Sequence, residues 1–138
     1  PSMLAVEDYL LALDWARSVG GLDGLIRRAN TNTGAIADFV KSRDWIDFLA
    51  ENPVIRSNTS VCLKFTDPRI SDPAGFAKAV AKRLDAADAA YDIGAYRDAP
   101  AGLRIWCGGT VETADIEAML PWLDWAFESE LNAQNQAA

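Results

Sequence analysis

The chain has 138 residues, of which 50% are hydrophobic and 24% charged, so it is the size of one domain or two very small ones and is not a disordered chain. A net charge of −7 without a basic run argues against a nucleic-acid partner, and no apolar run approaches the roughly 18 residues needed to span a bilayer. There is no histidine, and the two cysteines, Cys62 and Cys107, are too few for a four-thiolate site; His-based catalysis and zinc are excluded for this chain alone, no metal site is expected, and reduced thiols are the expected state.

The chain opens Pro1-Ser2-Met3 without a signal-peptide pattern. Either Met3 is the true start or this is a piece of a longer protein, and the two readings give different functions. Ser2 is a good N-cap, and Val6, Leu10, Leu13 and Ala16 recur at helical spacing, which predicts a helix over Leu4 to Val19 ended by Gly20-Gly21. Leu22, Leu25, Ile26, Ala29, Ile36, Phe39 and Val40 predict a second, long helix to about Lys41, with a break at the poor helix formers Asn30 to Gly34 as the alternative. Asp44 to Leu49 reads as a short helix, and Asn52-Pro53 breaks the pattern.

Beyond Val54 the period changes. Val61, Leu63 and Phe65 alternate with polar neighbours, which predicts a half-buried strand. Asp72-Pro73 opens a helix with the apolar stripe Phe76, Val80 and Leu84 and a wet side of Lys78, Lys82 and Arg83. Tyr91 to Ile93 reads as a brief strand, Gly94 to Gly102 as a loop, and Leu103 to Cys107 as the second clear strand. After the Gly108-Gly109 turn, Thr113 can cap a last helix whose apolar face is Ile116, Leu120, Leu123, Phe127 and Leu131, with Pro121 on its wet side. Residues 132–138 read as a frayed polar tail. This order predicts an α+β fold, an α/β sandwich with a small mixed or antiparallel sheet of few strands and helices packed on it.

Arg104 stands out because it sits inside an apolar strand between Leu103 and Ile105. A guanidinium there costs free energy unless an anion meets it, and its planar fork suits a carboxylate. The plain alternative is an edge-strand arginine reaching water or a neighbouring carboxylate. Arg97, in the preceding loop, could swing over a phosphate or pair with Asp98. Lys64 could form a Schiff base but reads better as the wet face of its strand. Gly108-Gly109-Thr110 could cradle an anion, although a plain turn also explains it. Trp122 and Trp125 read as core or interface packing. No carboxylate pair is evident, so the chain lacks a self-sufficient catalytic set.

Several stretches together resemble phosphoserine aminotransferase: Ser2 to Leu10, continuing through Asp14-Trp15 to Gly20-Gly21-Leu22; Ser57 to Phe65 (SNTSVCLKF); and the Gly-x-Arg strand Gly102-Leu103-Arg104, continuing Ile105-Trp106-Cys107-Gly108. The resemblance covers essentially the whole chain but only the C-terminal third of such an enzyme, and makes Pro1 the end of an Asn-Thr-Pro motif. It implies the small domain of a homodimeric, cytoplasmic fold-type-I enzyme that uses pyridoxal 5'-phosphate. Such enzymes move an amino group from glutamate to 3-phosphohydroxypyruvate, giving O-phosphoserine and 2-oxoglutarate, in serine and in many cases vitamin B6 biosynthesis. Residues 1–21 would then be a linking helix from the large domain, 22–131 the small domain and 132–138 the tail. Arg104 matches the family's arginine for the substrate α-carboxylate. Arg97 lies close to a second arginine for the substrate phosphate, which a His precedes in many members; here Tyr96 precedes it, and the spacing to Arg104 is one residue longer. The cofactor lysine would lie upstream, leaving this piece inactive alone. The rival readings are a non-enzymatic binding or dimerisation module starting at Met3, and a related aminotransferase of the alanine or serine–glyoxylate type.

Overall fold

A computed structural model describes residues 2–137. Pro1, with the motif assigned to it, lies outside the described residues. Helix α1 (Met3–Ser18) is capped by Ser2, whose hydroxyl accepts from the Ala5 amide. Gly20 and Gly21 both take positive φ, +100° and +61°, and this left-handed pair turns the chain from α1 into α2 (Gly21–Lys41). Asn30 to Gly34 does not break α2, because the chain satisfies its weak centre. The Thr31 and Thr33 hydroxyls bond back to the carbonyls of Arg27 and Ala29, and Asn32 is fully buried with partners of its own.

Asp44 to Leu49 is not a helix. It contains strand β1 (Ile46–Phe48), which pairs antiparallel with Leu63 to Phe65 of β2 (Ser60–Phe65). Ile46 and Phe48 are buried and Asp47 between them is exposed, the period of a strand. Six residues are too few to separate that period from a helical one, and the open edge of β2 decides. A short 3-10 turn (Pro53–Ile55) joins the two strands. Helix α3 (Pro73–Ala86) starts with Asp72 as its cap and Pro73 in its first turn, as predicted.

Strand β3 (Leu103–Trp106) pairs antiparallel with β2 and completes a three-stranded sheet of order β1-β2-β3. Tyr91 to Ile93 forms no strand. Asp92 takes a left-handed φ of +51°, and the backbone here meets β3 through a hydrogen bond from the Arg104 amide to the Ile93 carbonyl and a bridge from the following Gly94 to Leu103. Helix α4 (Thr113–Ala137) buries the predicted face, leaves Pro121 exposed, and continues through residues that read as a frayed tail.

Helices α2, α3 and α4 cover one face of the sheet. Ile36 and Phe39 of α2, Phe76 and Val80 of α3, and Leu123 and Phe127 of α4 meet Val61, Leu63, Leu103 and Ile105 in one core. Trp45 stacks on Phe127 at 4.0 Å between ring centroids, with Phe65 and Phe76 packed around them. The other face of the sheet carries Asp47, Cys62, Lys64, Arg104 and Trp106 and has no helix of the core on it. Helix α1 stands outside the core: none of its residues is buried, and Met3, Leu4, Tyr9 and Leu11 are exposed.

Candidate functional site

Strand alternation puts Arg104 on the open face, directly across from Cys62 of β2. Its amide points away from β2 and donates to the Ile93 carbonyl at 2.8 Å, while its neighbours in β3 pair with β2. Gly102 starts this strand because nothing larger fits: a Cβ there would collide with the Leu63 carbonyl oxygen. The Gly in the Gly-x-Arg motif therefore sets the approach of β3 to β2, and with it the position of Arg104.

The side chain is 17% exposed. Its guanidinium lies over the Tyr96 ring, 4.3 Å from the centroid. One terminal nitrogen, Nη1, donates to the Tyr96 hydroxyl at 3.3 Å, and the other, Nη2, to the Asp92 carboxylate at 3.3 Å. Nε is buried and has no partner. Both hydrogen bonds are long for a charged donor, so this cation is oriented but not saturated. It lines a cleft of about 290 Å³ together with Ala90, Asp92, Ile93, Trp106 and Met119. The strand arginine thus has its charge at a cleft wall, not in bulk water.

Arg97 is exposed and makes no ion pair, with Asp98 or otherwise, among the described residues. It lines a neighbouring cleft of about 470 Å³ with Lys78, Tyr96 and several alanines, and no carboxylate lines that cleft. Tyr96 links the two arginines, since its ring lies under Arg104 and it also lines the Arg97 cleft. Lys78 read only as the wet side of α3; its place beside Arg97 follows from how the loop packs on that helix.

The remaining candidates resolve simply. Lys64 lies on the open face and is ion-paired to Glu51 at 3.2 Å, which leaves it a solvated cation. The Gly108-Gly109-Thr110 turn is no anion cradle, because it presents carbonyls. Asn32 donates to the carbonyls of Cys107, Gly108 and Val111 and accepts from the Thr113 hydroxyl, and Arg28 donates to the Gly109 carbonyl. Thr113 accordingly gives its hydrogen to α2. Both cysteines are free; burial pushes the Cys107 thiol above its ordinary pKa, while Cys62 is exposed. Trp122 and Trp125 meet edge-to-face at 5.6 Å between ring centroids and remain exposed. Nothing among the described residues builds a pyridoxal phosphate cradle: Lys64 is paired with a carboxylate, Lys78 is exposed, and neither is a desolvated amine. The cofactor does not fit the residues of this chain alone.

The fold is a small antiparallel sheet with helices packed on one face and Arg104 on the other. The phosphoserine aminotransferase from Bacillus circulans subsp. alkalophilus superposes on it with a TM-score of 0.69 over 84% of this chain and 30% of that one; at 17% identity, that likeness is one of fold. No family model matches the sequence. Phosphoserine aminotransferase of Methanosarcina barkeri is 52% identical over 129 residues, and that of Methanosarcina mazei 51% identical over 130. These alignments take in 92% and 93% of this chain and 33% of each enzyme. The chain is thus homologous to part of phosphoserine aminotransferase and spans about a third of the length of the curated relatives it matches.

Proposed function

We propose that this chain is the C-terminal part of a phosphoserine aminotransferase, and that the full-length enzyme transfers an amino group from glutamate to 3-phosphohydroxypyruvate, giving O-phosphoserine and 2-oxoglutarate. The reading places it in serine biosynthesis, with vitamin B6 biosynthesis as a second use, in a cytoplasmic homodimer. One observation carries it beyond likeness: the arginine of the Gly-x-Arg strand stands at the wall of a cleft between β3 and the start of α4, oriented by Tyr96 and with donor capacity left over.

Pyridoxal 5'-phosphate supplies the amino-group chemistry in this reading, and its lysine belongs to the part of the enzyme outside this chain. What this chain contributes is binding and orientation. Arg104 takes the α-carboxylate that both substrates share. Arg97, with Lys78 beside it, takes the phosphate that only one of them carries. The chain is acidic overall, so docking an anionic substrate needs local reversal of charge, and the Arg97 cleft with two cations and no carboxylate supports it. Helix α1, apolar yet outside the core, is the linking helix over residues 1–21 and packs against the rest of the enzyme; 22–131 form the small domain. No helix among the described residues is long and apolar enough to cross a membrane.

Steady-state kinetics of the full-length enzyme test it. Arg104→Ala lowers kcat/KM for glutamate and for 3-phosphohydroxypyruvate alike, by about a hundredfold, the size expected when a charged hydrogen-bond donor is removed. Arg97→Ala lowers it only for the phosphorylated substrate. Equal losses for both substrates in Arg97→Ala remove its phosphate role. Preference for alanine or glyoxylate over the phosphorylated keto acid points to the related aminotransferases, and absence of any transamination leaves a binding module.

A further inference from the structure

Arg104 has a neighbour that the proposed function does not use. Asp92 accepts from Nη2 through one oxygen only, at 3.3 Å, and its side chain is 93% exposed. Nε and Nη2 lie side by side on one edge of a guanidinium, and that edge is the fork that grips a carboxylate with two parallel bonds. The same molecule shows the completed form: Arg43 gives Nε to one oxygen of Asp124 and Nη2 to the other. At Arg104 the edge is half used. Asp92 holds one position loosely, and Nε is buried without a partner.

We propose that Asp92 is a placeholder carboxylate, which holds the Arg104 fork in the empty site and is displaced when a substrate carboxylate binds. The inference rests on Arg104 being the carboxylate ligand. A single-contact pair with an exposed carboxylate is weak enough to be exchanged, and a substrate carboxylate that meets Nη2, and Nε once the exchange uncovers it, replaces one long bond with two charge-assisted ones. The position of Asp92 comes from its left-handed backbone, φ +51°, a conformation Asp tolerates better than most residues. Tyr96 keeps the guanidinium plane in place during the exchange, because its stacking contact does not involve the donor edge.

The test uses the full-length enzyme and a non-reacting dicarboxylate, glutarate, with the dissociation constant measured by calorimetry. D92N removes the charge and keeps a residue that accepts the left-handed backbone. It tightens glutarate by about two- to fivefold, the size of an exposed ion pair, and lowers KM for both carboxylate substrates by the same factor. R104K, measured in parallel, weakens glutarate by more than about tenfold, since an ammonium cannot reproduce the fork. A merely structural brace would lower the melting temperature in D92N without tightening binding. Unchanged or weaker glutarate binding in D92N, with R104K still weakened, overturns the placeholder and leaves the Arg104 ligand standing. Binding insensitive to R104K, or no glutarate binding by the unmodified enzyme, overturns the ligand assignment and the placeholder with it.

Discussion

The two faces of one short sheet obey opposite rules. On the covered face, Val61, Leu63, Leu103 and Ile105 are buried among three helices and contribute through the area they remove from water. On the open face, their immediate neighbours Cys62, Lys64, Arg104 and Trp106 keep polar atoms or large surfaces accessible. Residues adjacent in sequence therefore divide the labour, one holding the fold and the next facing outward. The strand period of two makes this division, and it lets the open face change without disturbing the core.

The sharpest way to break this comparison is to mutate neighbours. Leu63→Ala lowers the unfolding free energy of the chain by about 2–5 kcal/mol, whereas Cys62→Ala changes it by less than about 0.5 kcal/mol. Urea titration of both measures the contrast, and similar losses would abolish the distinction between the faces. Asn32→Ala comes next. It strips a buried donor from three carbonyls and an acceptor from Thr113, and costs about 1–3 kcal/mol in the same assay.

Arg104→Lys tests the open face from the other side. It shifts stability by no more than about 1 kcal/mol while the carboxylate affinity collapses. A large stability loss would make Arg104 a core residue. A smaller effect lies in acid. Asp67 is held below the ordinary carboxylate range, chiefly by the side-chain hydrogen bonds from Arg69. Its folded pKa is depressed, so its contribution is complete above the unfolded carboxylate pKa of about 3.9 and fades as pH falls through the lower folded value. Asp67→Asn removes that contribution, so its stability falls less steeply than that of the unmodified chain below about pH 4; an unchanged acid limb refutes the coupling. The gentlest probe leaves the chain native: iodoacetamide at pH 8 labels exposed Cys62 and spares Cys107, whose burial raises its thiol pKa.

The α+β class, the long helices and the two main strands were legible because each repeats a period over enough residues to show it. Ser2, Asp72 and Gly20-Gly21 were legible as caps and turn because their chemistry is local. The stretch from Asp44 to Leu49 misled because its strand is three residues long and owes its existence to β2. Arg104 was legible as an anomaly, a cation in an apolar strand. Asp92, Lys78 and the carbonyl-presenting Gly108-Gly109 turn were not, since each matters only through a partner far away along the chain.

By itself the sequence determined where the four long helices and the two main strands run and which arginine is out of place, because hydrophobic period and capping chemistry act between near neighbours. Only the tertiary structure decided that β1 is a strand, that Asn32 ties α2 to the turn after β3, and that Arg104 shares its fork with Asp92 above the Tyr96 ring. Those contacts join residues that meet only after the chain has folded, and local preference carries no record of them.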